Sequence, residues 1–199
     1  MEHLKLFEKF NSYYRQIMSA NDSVTELQNL INENGIFVLY DFIKNGGDIE
    51  MKNEDEETLM VLCSYNGYPY IIKELIKLGA NVNVIDDINT TPLIYAASNG
   101  YNDIVKMLIK AGANINYIDG DNETALINTI ITGFNYRSAR ILLDAGADVT
   151  IYDKSGKTFY DYLEEEKNHY RTHIEKLIND YPIQYNNYLK IKKTREFNL

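Results

Sequence analysis

With 199 residues, 20 basic against 29 acidic side chains and a formal net charge of −9, the chain lacks the basic excess that reading nucleic acid requires, and no nucleic-acid partner is expected. Apolar residues make up 45% of it, enough for a buried core, yet no apolar run approaches the roughly 18 residues that a membrane span needs. Glu2, Lys5, Glu8 and Lys9 break up the N-terminal apolar residues where a secretory leader would be continuous, and the single cysteine, Cys63, precludes an internal disulfide; a cytoplasmic, intracellular protein is expected.

In chain order, "LKLFEKFNSYYRQIM" reads as a helix with Leu4, Phe7, Phe10, Tyr14 and Ile17 on one side, a cap over residues 1–22 packed on the first of the periodic units that begin near residue 20. Two ladders of punctuating residues mark those units. Thr58, Thr91, Thr124 and Thr158 are 33, 33 and 34 residues apart, and so are Gly46, Gly79, Gly112 and Gly146. Both ladders lengthen by one residue at the same place, which puts a single insertion between Gly133 and Gly146, around "FNYRS". Within the best-marked period, Thr91-Pro92 suits a helix start, Asn99-Gly100 breaks that helix, and a second apolar run (Ile104, Val105, Leu108, Ile109) ends at Gly112. Each period is therefore a helix–turn–helix. Two such short helices cannot offset the entropy of their own ordering, so each unit must stack on its neighbours.

On these residues the chain resembles the ankyrin repeats, whose unit of about 33 residues is a β-turn plus two antiparallel helices with a Thr-Pro-Leu-His opening. The resemblance covers about residues 20–165 and is tightest over 86–118. Leu59, Ala125 and Phe159 replace the family's proline, and Val61, Ile94, Ile127 and Asp161 its histidine, which implies lower stability than a consensus array. The resemblance implies an all-α solenoid of about five units, at 20–52, 53–85, 86–118, 119–152 and 153–181, the array proper being 23–181. The first unit is degenerate (Thr25, Leu27, Leu30, then Val38, Leu39, Phe42, Ile43). The last closes with a capping helix over 168–180 that buries Ile174, Leu177 and Ile178, and "EEEKNH" places polar residues where water replaces a further repeat. Residues 182–199 match no repeat and read as a basic tail (Lys190, Lys192, Lys193 and Arg195 among Tyr188 and Phe197) that is solvated, with a docking or localisation element as the alternative.

Catalytic signals are poor: the chain has no phosphate-cradling glycine loop and no nucleophile elbow. His169 and His173, a helical turn apart, could hold zinc with Glu165, but Lys167 and Arg171 would repel a cation, and an exposed polar face is the better reading. "DGDNE" (Asp119 to Glu123) superficially resembles the start of a calcium loop without its glycine and closing glutamate; in register with Asp86 and Asp153, it is a repeat turn. Cys63 matches Ala96 of the next unit and reads as a packing residue. Asn83 and Asn116 occupy the hairpin position that is enzyme-modified in some family members, a minor alternative. No cofactor or metal is expected.

The resemblance also implies a concave face lined by turn tips and inner-helix ends. Carried over by position, it comprises Glu54, Asp55 and Glu57; Asp87, Ile88 and Thr90; Asp121 and Glu123; Lys154, Ser155 and Lys157; Ile85, Ile118 and Tyr152 ahead of the turns; and Tyr65 with Asn66, Ser98 with Asn99, and Ile131 with Thr132 on the inner helices. The stripe is acidic with apolar islands, which implies a non-catalytic, monomeric protein–protein interaction module that sequesters or scaffolds a basic partner. An adaptor working through its terminal segments is the second reading, and a metal-dependent enzyme a distant third. Lys73, Lys106, Arg140 and Asp144 fall on the opposite, convex helices.

Overall fold

A computed structural model describes residues 12–13, 15–17, 19–20, 22–133, 135–166 and 170–197. They form two compact units, Met1–Pro92 and Leu93–Leu199. The first contains helices α1 (Ser23–Asn34), α2 (Phe37–Lys44), α3 (Leu59–Asn66) and α4 (Pro69–Lys77). Helix α5 (Pro92–Ser98) starts at the boundary, and the second unit continues with α6 (Asn102–Lys110), α7 (Ala125–Ile131), α8 (Tyr136–Asp144), α9 (Phe159–Glu165), α10 (Arg171–Asp180) and α11 (Pro182–Phe197). Among the described residues there is no strand, only the isolated antiparallel bridges Lys52–Thr58 and Tyr152–Thr158. This is the all-α repeat class that the two ladders predict.

The threonine ladder works by capping. The side chains of Thr58, Thr124 and Thr158 accept from the backbone N–H of Val61, Ile127 and Asp161, satisfying donors that the first helical turn leaves unpaired. Asp161, at the position of the family's histidine, closes a reciprocal capping box by accepting from the Thr158 backbone N–H (2.8 Å). The degenerate first unit is capped by Asp22 instead, whose Oδ1 accepts from Thr25 N–H (3.0 Å).

Helices alternate in character because their surroundings do. On α3 every residue from Leu59 to Ser64 is buried, and on α7 every residue from Ala125 to Ile130, as expected of helices covered on all sides. By contrast α4, α6 and α8 bury one stripe each, Ile71, Ile72 and Leu75; Ile104, Val105 and Leu108; and Ala139, Leu142 and Leu143. The extra residue of the fourth period falls in the turn before α8, which begins three residues after Gly133, where α6 begins two after Gly100.

The glycine ladder stands just past the ends of α2, α4, α6 and α8. At Gly112 φ is +92°, and a Cβ there would meet nothing within 4 Å. The penalty for a side chain is therefore backbone strain alone, and Gly112→Val should destabilise the protein by about 1–3 kcal/mol, with Lys110→Ala near neutral. The opposite sign is expected at Glu56, a non-glycine residue at φ +58°. Glu56→Gly relieves that strain, less the extra unfolded-state entropy of glycine, and should raise stability by roughly 0.5–1 kcal/mol in thermal melts.

At the N-terminal end the described residues pack on the first repeat, as expected, whereas the C-terminal end departs from expectation. Ile17 and Tyr13 are buried, and the Tyr13 hydroxyl donates to Asn34 Oδ1 (2.7 Å), so this end packs on α1; Leu4, Phe7, Phe10 and Tyr14 lie outside the described residues. At the other end, residues 182–197 are not a solvated tail: they form α11. Its Tyr188 is buried, stacks against Tyr160 of α9 (centroids 5.3 Å apart) and donates to Asp161 Oδ1 (3.1 Å). Lys192 pairs with Glu164. Positions 181, 185, 188, 192 and 195 share one helical face, aromatic at its start and cationic at its end.

Candidate protein-binding face

One turn geometry recurs at residues 53, 86, 119 and 153. In each, the first residue's N–H donates to the carbonyl four residues on: Asn53 to Glu57 (3.0 Å), Asp86 to Thr90 (3.3 Å), Asp119 to Glu123 (3.1 Å) and Asp153 to Lys157 (3.0 Å). The side-chain oxygen of the same residue accepts backbone N–H groups of the turn, from Asp55 and Glu57 at Asn53, from Thr90 at Asp86, from Asp121 and Glu123 at Asp119, and from Ser155 and Lys157 at Asp153. A short Asn or Asp side chain suits this because it reaches its own backbone two residues ahead. The fourth position is left-handed throughout, at Glu56, Asn89, Asn122 and Gly156. The "DGDNE" segment is thus a turn. Asn53 is the counterpart that a search for aspartates misses, although it lies 33 residues before Asp86.

Neighbouring turns are tied to each other. Asp87 N–H donates to Asp55 C=O (3.1 Å) in the first unit, and Lys154 N–H to Asp121 C=O (3.2 Å) in the second. The tips carrying Glu54 and Asp55 therefore lie beside those carrying Asp87 and Ile88, all four exposed. Ile88 is 60% and Tyr65 53% exposed; Ile118, Ile131 and Tyr152 are exposed as well, while Ile85 is half-buried. Asp121 is partly neutralised by Lys154 Nζ at 3.1 Å.

Several positions carried over by register are already committed to the fold. Thr90 is buried, its N–H donating to Asp86 Oδ1 at 2.7 Å, so it presents nothing to a partner and leaves the candidate set. Ser98 is half-buried: its hydroxyl donates to Asn128 Oδ1 (3.3 Å) and its carbonyl accepts from the Thr132 hydroxyl (2.8 Å). The amide groups of Asn66 and Asn99 donate to the carbonyls of Leu62 and Tyr95 on their own helices. On the opposite helices Lys73 and Lys106 are exposed, but Arg140 and Asp144 are not bystanders. Arg140 pairs with Asp180 (3.7 Å), and the Tyr181 hydroxyl donates to Asp144.

The electrostatics of the turns are uneven. Burial pushes the Glu57 carboxyl above its usual range, and Asp55, Asp86 and Asp22 add to the effect against an opposing hydrogen bond from Asn53. Burial likewise raises Glu123, reinforced by Asp119, Asp121 and Asp153. A carboxyl whose pKa is raised on folding holds more protons folded than unfolded as pH falls. Its penalty is present at neutral pH and vanishes below the unfolded carboxyl range, about pH 4. Glu57→Gln should therefore melt above wild type at neutral pH and coincide with it below about pH 4; a lower melting temperature at neutral pH would contradict this.

Chemistry elsewhere is sparse. Cys63 is fully buried on α3, and burial pushes its thiol up, away from the reactive thiolate. His173 packs edge-on against Tyr136 with centroids 4.8 Å apart; His169 lies outside the described residues. Among the described residues no group of three His, Cys, Asp or Glu side chains is placed to hold a metal ion, and no helix is long and apolar enough to cross a membrane.

Comparison with known proteins bears on the repeats. Residues 27–119 match the family model for ankyrin repeats, in three copies. No curated protein matches the chain.

Proposed function

Since the chain is an ankyrin-repeat protein, and such repeats generally serve as protein–protein interaction modules, we propose that it is a non-catalytic binding protein that takes a basic protein segment on its turn-bearing face, the concave face of the family. The observation that carries this reading lies in the first unit, where two hydrogen-bonded turns expose the carboxylates of Glu54, Asp55 and Asp87, and where the apolar side chains of Ile88 and Tyr65 are exposed as well. Exposed carboxylates attract and select cations, while exposed apolar anchors supply affinity once a partner dries them. A phosphate backbone would be repelled by the same charge, which favours a protein over a nucleic acid. A single buried thiol fits an intracellular setting, where the protein would sequester or scaffold its partner.

The test is affinity capture of a partner on the purified chain, followed by association kinetics at several ionic strengths. Glu57→Gln and Glu123→Gln should slow association and flatten its salt dependence, with dissociation little changed, as steering charges do. Association that is insensitive to salt and to both substitutions would overturn the reading.

A further inference from the structure

We propose that the last repeat holds a guanidinium site, filled in the free protein by Arg195 of the chain's own C-terminal helix, and that an arginine of the partner displaces it. This rests on the reading of a basic partner given above and specifies where one of its side chains binds.

Three different groups converge on Arg195, each suited to a planar cation. The guanidinium carbon sits 5.0 Å from the centroid of the Tyr152 ring, its Nη1 donates to the Gly156 carbonyl (3.1 Å), and Nη1 lies 3.6 Å from Asp161 Oδ2. A ring beneath the cation, a carbonyl at its edge and a carboxylate beyond suit a guanidinium, whose weak hydration and in-plane N–H groups let it lie against a ring while one nitrogen donates to the carbonyl. Gly156 belongs to the fourth of the recurring turns and Tyr152 immediately precedes it, at the position that the repeat register places on the binding face.

The occupant is anchored at one end and loose at the other. Tyr188 is fully packed, whereas the Lys192 and Arg195 side chains remain about a third exposed, at 35% and 36%. Contacts of that exposure are individually weak and screened by salt. The cationic end can therefore leave while the aromatic end stays docked, and a partner that brings its own arginine together with other contacts can replace it. Until then the C-terminal helix competes at high local concentration.

The chain contains no tryptophan, so Tyr152→Trp supplies a single reporter on the floor of the site. In the full-length protein, acrylamide should quench this reporter less than it does in the Tyr152→Trp/Arg195→Ala double variant, and rising salt should abolish the difference. N-acetyl-arginine amide added to the double variant should restore protection, and N-acetyl-norleucine amide should not. Equal quenching in the two proteins at low salt, or no protection by the arginine amide, overturns the site. For the captured partner, Arg195→Ala should tighten binding about two- to fivefold by removing a cation–π competitor. Unchanged affinity overturns the displacement, yet leaves the binding-face reading to be decided by the turn and anchor variants. Loss of binding in those variants with unchanged affinity in Arg195→Ala separates the two claims.

Discussion

Cutting Tyr188 back to alanine is expected to remove about 3–5 kcal/mol from the docking of the C-terminal helix, the usual range for a large buried side chain. Tyr188 is 1% exposed, forms a three-ring cluster with Tyr160 and Tyr185 (ring centroids at 5.3 and 5.7 Å) and donates to Asp161. The ion pairs of α11 to Glu164 and Asp161 add little: they are partly exposed and worth at most about 1 kcal/mol each. Because a terminal element can come away without the rest, the loss should show as early melting of a 16-residue helix and not as one shifted transition. Circular dichroism would report reduced helicity at moderate temperature, with the main melt nearly in place. Tyr160→Phe, in the same cluster, should be neutral or stabilising, since the Tyr160 hydroxyl is buried with no hydrogen-bond partner among the described residues. A Tyr188→Ala protein that melts like wild type would show that the helix is held by something else.

Leu142→Ala should lower the stability of the array by about 2–5 kcal/mol. Leu142 is fully buried on α8, which packs against both α6 and α7, so the void opens at a junction between successive repeats. In a linear array, stability is the sum of each repeat and its interfaces with neighbours, and damage at an inner interface lowers the cooperativity of unfolding as well as its midpoint. Arg137, exposed on the same helix, gives the contrast: its change to alanine should stay within about 0.5 kcal/mol. Denaturant melts of the two variants decide the point, and equal midpoints would contradict the packing described.

The repeats were legible because their signals are local and recur. A threonine that caps, seen at Thr58, Thr124 and Thr158, and a glycine that turns left-handed recur along the chain, so spacing located α3 through α9. What escaped was whatever broke that recurrence. Asp22 caps the first helix where Thr25 was the only threonine to suggest a start, and Thr90 hides inside its turn although its register places it at a tip. The C-terminal helix escaped for a chemical reason: its buried contacts are tyrosines, whose hydroxyls and spacing among lysines read as a solvated segment until Asp161 and Tyr160 are seen beneath them. Of the binding face, the exposed apolar residues were readable from register, but not the demands that neighbouring repeats make on Ser98, Thr132 and Asn66.

Whether the partner sits on the turn-bearing face is decided by a calorimetric titration of the captured partner against four alanine variants. Ile88→Ala and Tyr65→Ala should each weaken binding by more than about 1 kcal/mol, as central anchors do. Lys73→Ala and Lys106→Ala, on the opposite helices, should stay within about 0.5 kcal/mol of wild type. Full affinity in the Ile88 and Tyr65 variants, with loss in the lysine variants and unchanged melting of all four, would contradict the account and move the site to the outer helices.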